Sequence, residues 1–239
     1  MGYEFSTELT ADVDANVDEV WNAIATSDGV NAWFMGSTEI ADGHVRMVFG
    51  DYAPDGVITH DERPSRFAYE VPAEPDGRRI AYDFLIEART GGTTSLRLVS
   101  NGFLPGDDWA DEFEAMQRGG AMFFATLVAY AAHFAGRPSQ SLLAAGPMVD
   151  SSVWTALGAA LGLDRPARTG DAVKLSRPGG DTVEGTVYFT NEDTVGVRTS
   201  DALYRFMRGF GGPFLAMHVT FGPAEDAGAW SEWLAEVAG

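Results

Sequence analysis

Two kinds of hydrophobic spacing alternate along the chain and predict its elements. Apolar side chains hold most odd positions from Tyr3 to Val13, with mostly polar residues between them, which is the twofold period of a half-buried strand. Residues 17–24 then repeat apolar side chains at helical spacing behind Asn16 or Asp18, and either residue suits a helix cap. The chain therefore opens with a strand followed by a helix.

Short strand-like runs come next, separated by Asp-Gly, Pro and Gly-Gly turn signals. They cover residues 45–49, 56–60, 66–71, 80–88 and 94–99. Short strands joined by tight turns predict an antiparallel meander.

A long amphipathic helix is predicted over residues 107–135, with acidic residues at its positive N-terminal end. Gly119 and Gly120 lie in its middle. Each glycine costs about 1 kcal/mol against alanine, so we expect a bend there or a neighbour packed close against the helix.

The second part of the chain repeats this order in a shorter form. Residues 149–157 echo residues 17–24 with one insertion, and strand-like runs at 172–176, 182–190, 194–199 and 213–221 precede a closing helix. The segment 136–147, rich in Gly, Pro and small residues, is typical of a linker. We predict a domain over residues 1–137, a linker over 138–147 and a smaller α+β domain over 148–239, a candidate shortened second copy whose short helix would have difficulty enclosing a large ligand.

Composition narrows the partners. The 239 residues include 16 Lys plus Arg against 35 Asp plus Glu, for a formal net charge of −19, and no Cys. Nucleic acids and anionic membranes are poor partners for such a chain, and disulfides and cysteine-based zinc sites are excluded. Because no membrane span or signal peptide is recognisable, we expect a cytoplasmic protein.

The order of strand, helix, meander and long closing helix resembles the helix-grip fold of the START or SRPBCC superfamily. The resemblance rests on the opening strand, the motif VDEVWNAIATSDGVNAWF at 17–34 and the Asp-Gly hairpins, and it covers residues 1–137. Within that superfamily the chain is similar to the branch of the activator of heat-shock protein 90 ATPase. The resemblance implies an α+β fold in which a curved antiparallel sheet wraps around the long helix, often with an apolar ligand between them.

Aromatic and methionine side chains at alternating strand positions and on the closing helix either fill a core or line such a cavity. The candidate ligand-binding residues are Trp33, Phe34, Met47, Phe49, His60, Phe67, Tyr69, Tyr82, Phe84, Met116, Phe123 and Phe124. Arg97 and Asp83 are out of phase with the apolar residues and are expected to face water.

Candidate catalytic chemistry is sparse. His60 ends a strand beside Asp61 and Glu62 and is the one histidine that we consider as a general base. His44 is expected to be exposed, and His133 and His218 to be partly buried. No histidine pair has metal-ligand spacing, so we expect no metal and no cofactor.

Other motifs favour ordinary structure. No Gly-x-Ser-x-Gly elbow is present, and the glycines at 91–92 and 209–212 lack the context of a phosphate loop. Asp107, Asp108, Asp111, Glu112 and Glu114 lack the spacing of a calcium loop and are expected to be solvated charges at a helix N-terminus.

Three functions remain open at this point. The favoured one is a protein that binds a small hydrophobic or aromatic molecule between sheet and helix. The alternatives are an enzyme of the polyketide cyclase or dehydratase kind that uses the same cavity, with His60 or a tyrosine as acid and base, and a co-chaperone-like module that binds a protein partner or a second copy of itself.

Overall fold

A computed structural model describes residues 2–107, 109–209 and 211–239 and divides the chain into two compact units, Met1–Arg137 and Pro138–Gly239. Each unit contains one antiparallel sheet and ends in a helix. The α+β class predicted from the sequence is therefore confirmed.

The first unit contains seven strands and three α-helices within the described residues. In chain order they are β1 (Tyr3–Val13), α1 (Val17–Ala25), α2 (Ser27–Asn31), β2 (Ser37–Ala41), β3 (His44–Val48), β4 (Asp55–Glu62), β5 (Arg66–Val71), β6 (Arg79–Ala88), β7 (Thr94–Leu104) and α3 (Trp109–Phe134).

The sheet order is β1-β7-β6-β5-β4-β3-β2, so the first strand pairs with the last and the others form a meander. Helix α3, 26 residues long, contacts β1, β7 and α1. This strand order with a long closing helix is the helix-grip arrangement, and the prediction of that fold is confirmed. Strand β2, which the sequence pattern did not show, adds one edge strand to the predicted meander.

Helix α1 begins with a capping box, which explains why the chain turns into a helix after β1. Asn16 Oδ1 accepts the backbone N–H of Glu19 at 3.0 Å, and the Glu19 carboxylate accepts the backbone N–H of Asn16 at 2.9 Å. Val20, Trp21 and Ile24 are buried on one face of this helix. Of the two predicted caps, Asn16 is the one used.

The second unit contains six strands and two helices within the described residues. They are β8 (Gln140–Met148), α4 (Val153–Ala160), β9 (Ala172–Ser176), β10 (Thr182–Thr190), β11 (Thr194–Arg198), β12 (Ala202–Arg208), β13 (Pro213–Thr220) and α5 (Ala227–Ala238).

The two units share their connectivity. In the second unit the order is β8-β13-β12-β11-β10-β9, so again the first strand pairs with the last, a helix follows the first strand, and a helix closes the unit. The second unit has one strand fewer, and its closing helix has 12 residues. It is a shortened helix-grip unit, as the repeated sequence pattern suggested.

The prediction of a linker at 138–147 is wrong, because most of this segment is strand β8, paired with β13 from Gln140 to Met148. Pro147 is compatible with a strand at this place for two reasons. Strand β8 is the edge of its sheet, and the register shifts between the Pro213 and Leu215 pairs, next to Pro147.

The space between sheet and closing helix of the second unit is filled by large side chains. Tyr204, Phe206, Phe214, Trp230 and Leu234 are each at most 1% exposed and belong to one core cluster. The second unit therefore uses the helix-grip interior as a packed core.

His218 gives the second unit an expected sensitivity to acid. It is fully buried on β13, with its ring centroid 4.4 Å from that of Trp230, and its Nδ1 accepts the backbone N–H of Arg205 at 3.2 Å. Burial, together with the charge of Arg205, lowers the pKa of His218 well below 6.5.

Because the folded pKa is lowered, the unfolded chain binds the proton first as the pH falls. The contribution of His218 to stability is complete above about pH 6.5 and declines below it by about 1.4 kcal/mol per pH unit. Urea unfolding between pH 7 and 5, followed through the amide signals of β13, should show this slope. His218→Gln should flatten it, whereas His133→Gln, on an exposed residue, should not. An unchanged slope in His218→Gln would contradict the assignment.

Candidate functional site

A cavity of about 510 Å³ lies within the first unit, between the sheet and helix α3. This volume is in the range of pockets that hold small organic ligands. The wall consists of Ser6, Thr7, Glu8, Leu9, Trp33, Phe34, Met35, Met47, Tyr52, Tyr69, Ile80, Tyr82, Phe84, Leu98, Ser100, Met116, Gln117, Gly119, Gly120, Phe123, Phe124 and Leu127.

One face of α3 forms the helical side of the wall. Met116, Gly120, Phe123 and Leu127 follow one another at intervals of four, three and four residues, which places them on the same side of a helix. A Cβ atom at Gly119 or Gly120 would meet no atom within 4 Å beyond the helix's own nearby backbone and its chain neighbours. Of the two expectations for these glycines, the close neighbour is wrong, because they leave open space at the cavity wall; the bend stays a prediction within the continuous helix α3.

The sheet side of the wall contains one row of hydroxyl groups. Tyr69 on β5 pairs with Tyr82 on β6, Tyr82 pairs with Ser100 on β7, and Ser100 pairs with Thr7 on β1. Directly paired residues of antiparallel strands point to the same side of the sheet. We call Thr7, Ser100, Tyr82 and Tyr69 the hydroxyl row; all four line the cavity.

Residues without hydroxyl groups flank the hydroxyl row on both sides. The next inward position on each strand, two residues from the row on one side, is held by Phe67, Phe84, Leu98 and Leu9. On the other side of the row the corresponding residues are Val71, Ile80, Gly102 and Phe5. On these four strands the hydroxyl row is thus a polar line between two rows that lack polar side chains.

Burial sets the protonation of the tyrosines at the wall. It raises the pKa of Tyr69 and that of Tyr82 well above the usual 10, and the neighbouring tyrosines add to the effect. Their rings are 5.1 Å apart. Both hydroxyls therefore keep their protons at neutral pH and are available as hydrogen-bond donors.

The structure brings nine of the twelve candidate ligand residues to this cavity. They are Trp33, Phe34, Met47, Tyr69, Tyr82, Phe84, Met116, Phe123 and Phe124. Phe34 and Phe123 approach each other with ring centroids 4.4 Å apart, which joins the segment after α2 to helix α3. Phe49, His60 and Phe67 are not among the lining residues.

A β-bulge turns His60 away from the cavity. Ile58 pairs with Tyr69, but the register then shifts, and His60 pairs with Ala68 instead of Phe67. Since side chains alternate between the two faces of a strand, the extra residue places His60 on the face opposite to Tyr69. Its ring Nδ1 lies 3.4 Å from Thr59 Oγ1. The expectation that His60 could act as a base in the cavity is therefore wrong.

Phe49 and Phe67 have other neighbours. Phe67 is 1% exposed, and its ring packs edge-on against that of Trp21 at 5.9 Å, so it belongs to the core beside α1. Phe49 forms an isolated bridge with Tyr52 after β3 ends. Both are structural residues of the first unit.

The remaining charged and histidine candidates are structural or exposed. His44 is partly exposed and binds Asp55 at 2.7 Å, and His133 is exposed, contrary to the expectation of a partly buried residue. Arg97 is exposed, as expected, whereas Asp83 is half-buried in a two-bond ion pair with Arg66.

Two of the acidic residues near the start of α3 form ion pairs with arginines. Glu112 binds Arg78, and Glu114 binds Arg118 one turn later. Asp108 lies outside the described residues.

Within the part of the chain that the structure describes, no group of three or more potential ligands could hold a metal ion. No helix among the described residues is long and apolar enough to cross a membrane.

Several residues of the cavity wall were not predicted as ligand-binding residues from the sequence. Ile80, Leu98, Leu9 and Leu127 lie in predicted elements, but their side chains also suit any packed core. Thr7 and Ser100 are polar residues on strands 93 positions apart and become neighbours only through the pairing of β1 with β7. The one feature of the sequence that could have indicated them is that each is at an inward-facing position of its strand. Tyr52 and Met35 lie in loops, where periodicity carries no information.

The sequence matches no protein-family model and no curated protein. Solved structures are similar to the chain in fold. The Aha1 dimer structure from Colwellia psychrerythraea is 16% identical, with a TM-score of 0.45, and the match covers 54% of this chain and 96% of that one.

Among the similar structures are two that match nearly the whole chain. The di-domain ARO/CYC protein BexL from the BE-7585A biosynthetic pathway is 13% identical, covers 98% of this chain and 93% of its own, and has a TM-score of 0.46. DynU16, from the dynemicin biosynthetic locus, is 17% identical, with coverages of 97% and 96% and a TM-score of 0.42. At these identities the likeness concerns the fold alone. The helix-grip assignment rests on the strand order and closing helices of this chain.

Proposed function

We propose that the protein binds a small, largely apolar molecule in the cavity between the sheet and α3 of its first unit. The observation that carries the proposal is the cavity itself, about 510 Å³ in volume and lined mainly by aromatic, methionine and aliphatic side chains. Pockets of this size and lining, with a few polar groups, are the usual sites of small organic ligands.

The glycine pair on α3 supports this proposal. Glycine within a helix costs about 1 kcal/mol relative to alanine. At Gly119 and Gly120 an added Cβ would meet no atom within 4 Å beyond the helix's own nearby backbone and its chain neighbours, so no close neighbour requires glycine there. Their effect on the structure is to keep the cavity wall free of side chains at the centre of the helical face.

The ionisable groups of the wall favour binding over proton abstraction. Among the described lining residues, Glu8 is the single acidic side chain, and it lies on the outward phase of β1, 3.6 Å from Arg97. A cyclase or dehydratase mechanism with His60 as the base lacks support, since His60 is on the opposite face of the sheet.

Titration with Nile red, an uncharged dye whose emission shifts to the blue in apolar surroundings, tests the proposal. The full chain should give a saturable blue shift with one site per molecule. A ligand retained from the native host and detected by native mass spectrometry would identify the molecule. A full chain that is folded and causes no saturable shift would contradict the proposal.

His60→Ala should leave Nile red affinity unchanged, because the ring does not line the cavity. Phe84→Ala is the matched comparison on a lining residue, and it should change the affinity severalfold because it removes a ring from the wall. The measurement is the dissociation constant from the same titration. A loss of binding in His60→Ala with unchanged thermal stability would show that the outward placement of His60 is incorrect.

A further inference from the structure

The hydroxyl row crosses the sheet side of a mainly apolar cavity. Its four residues come from four neighbouring strands and stand side by side in register, from Thr7 across Ser100 and Tyr82 to Tyr69. Such a row forms only if each of four separate strands has a hydroxyl residue at an inward-facing position and the strand register aligns these four positions. It is therefore a property of the folded sheet and of no single segment.

None of the four hydroxyl groups donates or accepts a hydrogen bond to any other group in the described part of the chain. The two tyrosine rings face each other at 5.1 Å, and both residues are half-buried. These hydroxyl atoms are not among the buried, unpaired side-chain atoms of the described residues, so they are accessible from the cavity. A molecule that fills the cavity and displaces water from the row leaves these hydroxyls without a partner unless it supplies hydrogen-bonding atoms itself, and an unpaired buried hydroxyl costs free energy.

The charge around the row restricts what that molecule can be. No Lys, Arg or His belongs to the described wall, and the single carboxylate, Glu8, is on the outward phase of β1. The environment that raises the pKa of Tyr69 and Tyr82 disfavours negative charge there, and a bound carboxylate would meet the same penalty. A bound cation would find no carboxylate at the row.

We propose that the hydroxyl row selects an uncharged apolar molecule that carries hydrogen-bonding oxygen atoms, such as carbonyl oxygens, along one edge. This inference rests on the proposed binding function and adds the class of ligand. Neighbouring strands are about 4.8 Å apart, so the four residues follow one another at about that interval. The longer tyrosine side chains carry their hydroxyls further from the sheet than Thr7 and Ser100 do, so the row offers hydrogen-bonding groups at two depths of the cavity. The apolar residues on both sides of the row would contact the rest of the molecule.

Three probes with one aromatic body test the proposal on the full chain. They are 6-propionyl-2-dimethylaminonaphthalene, an uncharged ketone; its 6-propyl analogue, which lacks the oxygen; and 6-dimethylamino-2-naphthoate, which carries a carboxylate. Isothermal titration calorimetry gives each dissociation constant. The ketone should bind about fivefold to tenfold tighter than the propyl analogue, as one or two hydrogen bonds allow, and the carboxylate should bind weakest.

Variants of the row separate its role from general packing. In Tyr69→Phe/Tyr82→Phe the ketone should lose its advantage and bind like the propyl analogue, while the affinity for the propyl analogue stays within about twofold. Tyr3→Phe is the matched control, because Tyr3 is on β1 but does not line the cavity. The double variant should fold with unchanged or slightly higher thermal stability, since it removes no hydrogen bond within the protein.

The outcomes distinguish the two proposals. Equal affinity for ketone and propyl analogue, or an advantage of the ketone that persists in the double variant, would overturn the inference about the hydroxyl row and leave the proposed binding function standing. Tightest binding of the carboxylate would overturn the inference in the same way. If none of the three probes binds and Nile red also fails, the proposed function itself is contradicted.

Discussion

Gly120→Leu is expected to abolish most ligand binding while the protein remains folded. Gly120 is at the centre of the α3 face that lines the cavity, and a side chain placed there would enter open space. A leucine side chain has four carbon atoms, and displacing a similar part of a ligand removes about 3 kcal/mol of apolar burial, or about 100-fold in the dissociation constant. Nile red titration measures this loss.

Two controls accompany this variant. Gly120→Ala should retain most of the affinity and raise stability by up to about 1 kcal/mol, because alanine is the better helix former. Ala110→Leu adds a leucine to an exposed position of α3 and should leave binding unchanged. Full binding in a folded Gly120→Leu variant would mean that the ligand site is elsewhere.

Glu225→Ala is expected to have the largest effect on stability, and its effect should be confined to the second unit. The Glu225 carboxylate accepts the Tyr204 hydroxyl at 2.6 Å and the Trp230 indole N–H at 2.7 Å. The Arg177 guanidinium is 3.6 Å away. The carboxylate thus joins the chain before α5 to the sheet and to the buried face of α5.

Removing one partner from such a network leaves buried donors without an acceptor. We expect a loss of about 3 to 5 kcal/mol in the free energy of unfolding of the second unit, in the range observed when a buried charge pair is broken. Urea unfolding followed through the amide signals of β12 and α5 measures it. Glu225→Gln keeps an oxygen acceptor and should lose less, and Glu232→Ala, on the exposed side of α5, should lose little. A loss below 1 kcal/mol in Glu225→Ala would show that the network contributes little.

The outcome for β12 shows where periodicity fails. Residues 202–206 are all buried, so the strand lacks the alternation that revealed β1, and the sequence analysis missed it. The run also contains Arg205, which is 2% exposed, and a charged residue is not expected within a buried central strand. The half-buried strands β5, β9 and β10 were predicted at their observed ends, because their turn signals and alternation agree.

His60 shows the second kind of failure. Strict alternation along 56–60 makes His60 point to the same side as Gly56 and Ile58, toward the cavity. One extra residue in the strand reverses this direction, and nothing in the local sequence distinguishes a bulged strand from a regular one. The face that a strand residue occupies depends on its partner strand.

The α+β class, the order of elements in the first unit and the aromatic character of the candidate site were predictable from the sequence, and a shortened second copy was one candidate for the rest of the chain. These properties follow from local periodicity, capping residues and turn signals, which act over a few neighbouring positions. Only the tertiary structure shows that the first unit holds a cavity between sheet and helix, whereas the second unit has a packed core there. It also places His60 on the face of the sheet opposite to the cavity and brings the four residues of the hydroxyl row together. These depend on strand register and on which side chains meet across the sheet, and contacts between residues about 90 positions apart are not encoded in any local pattern.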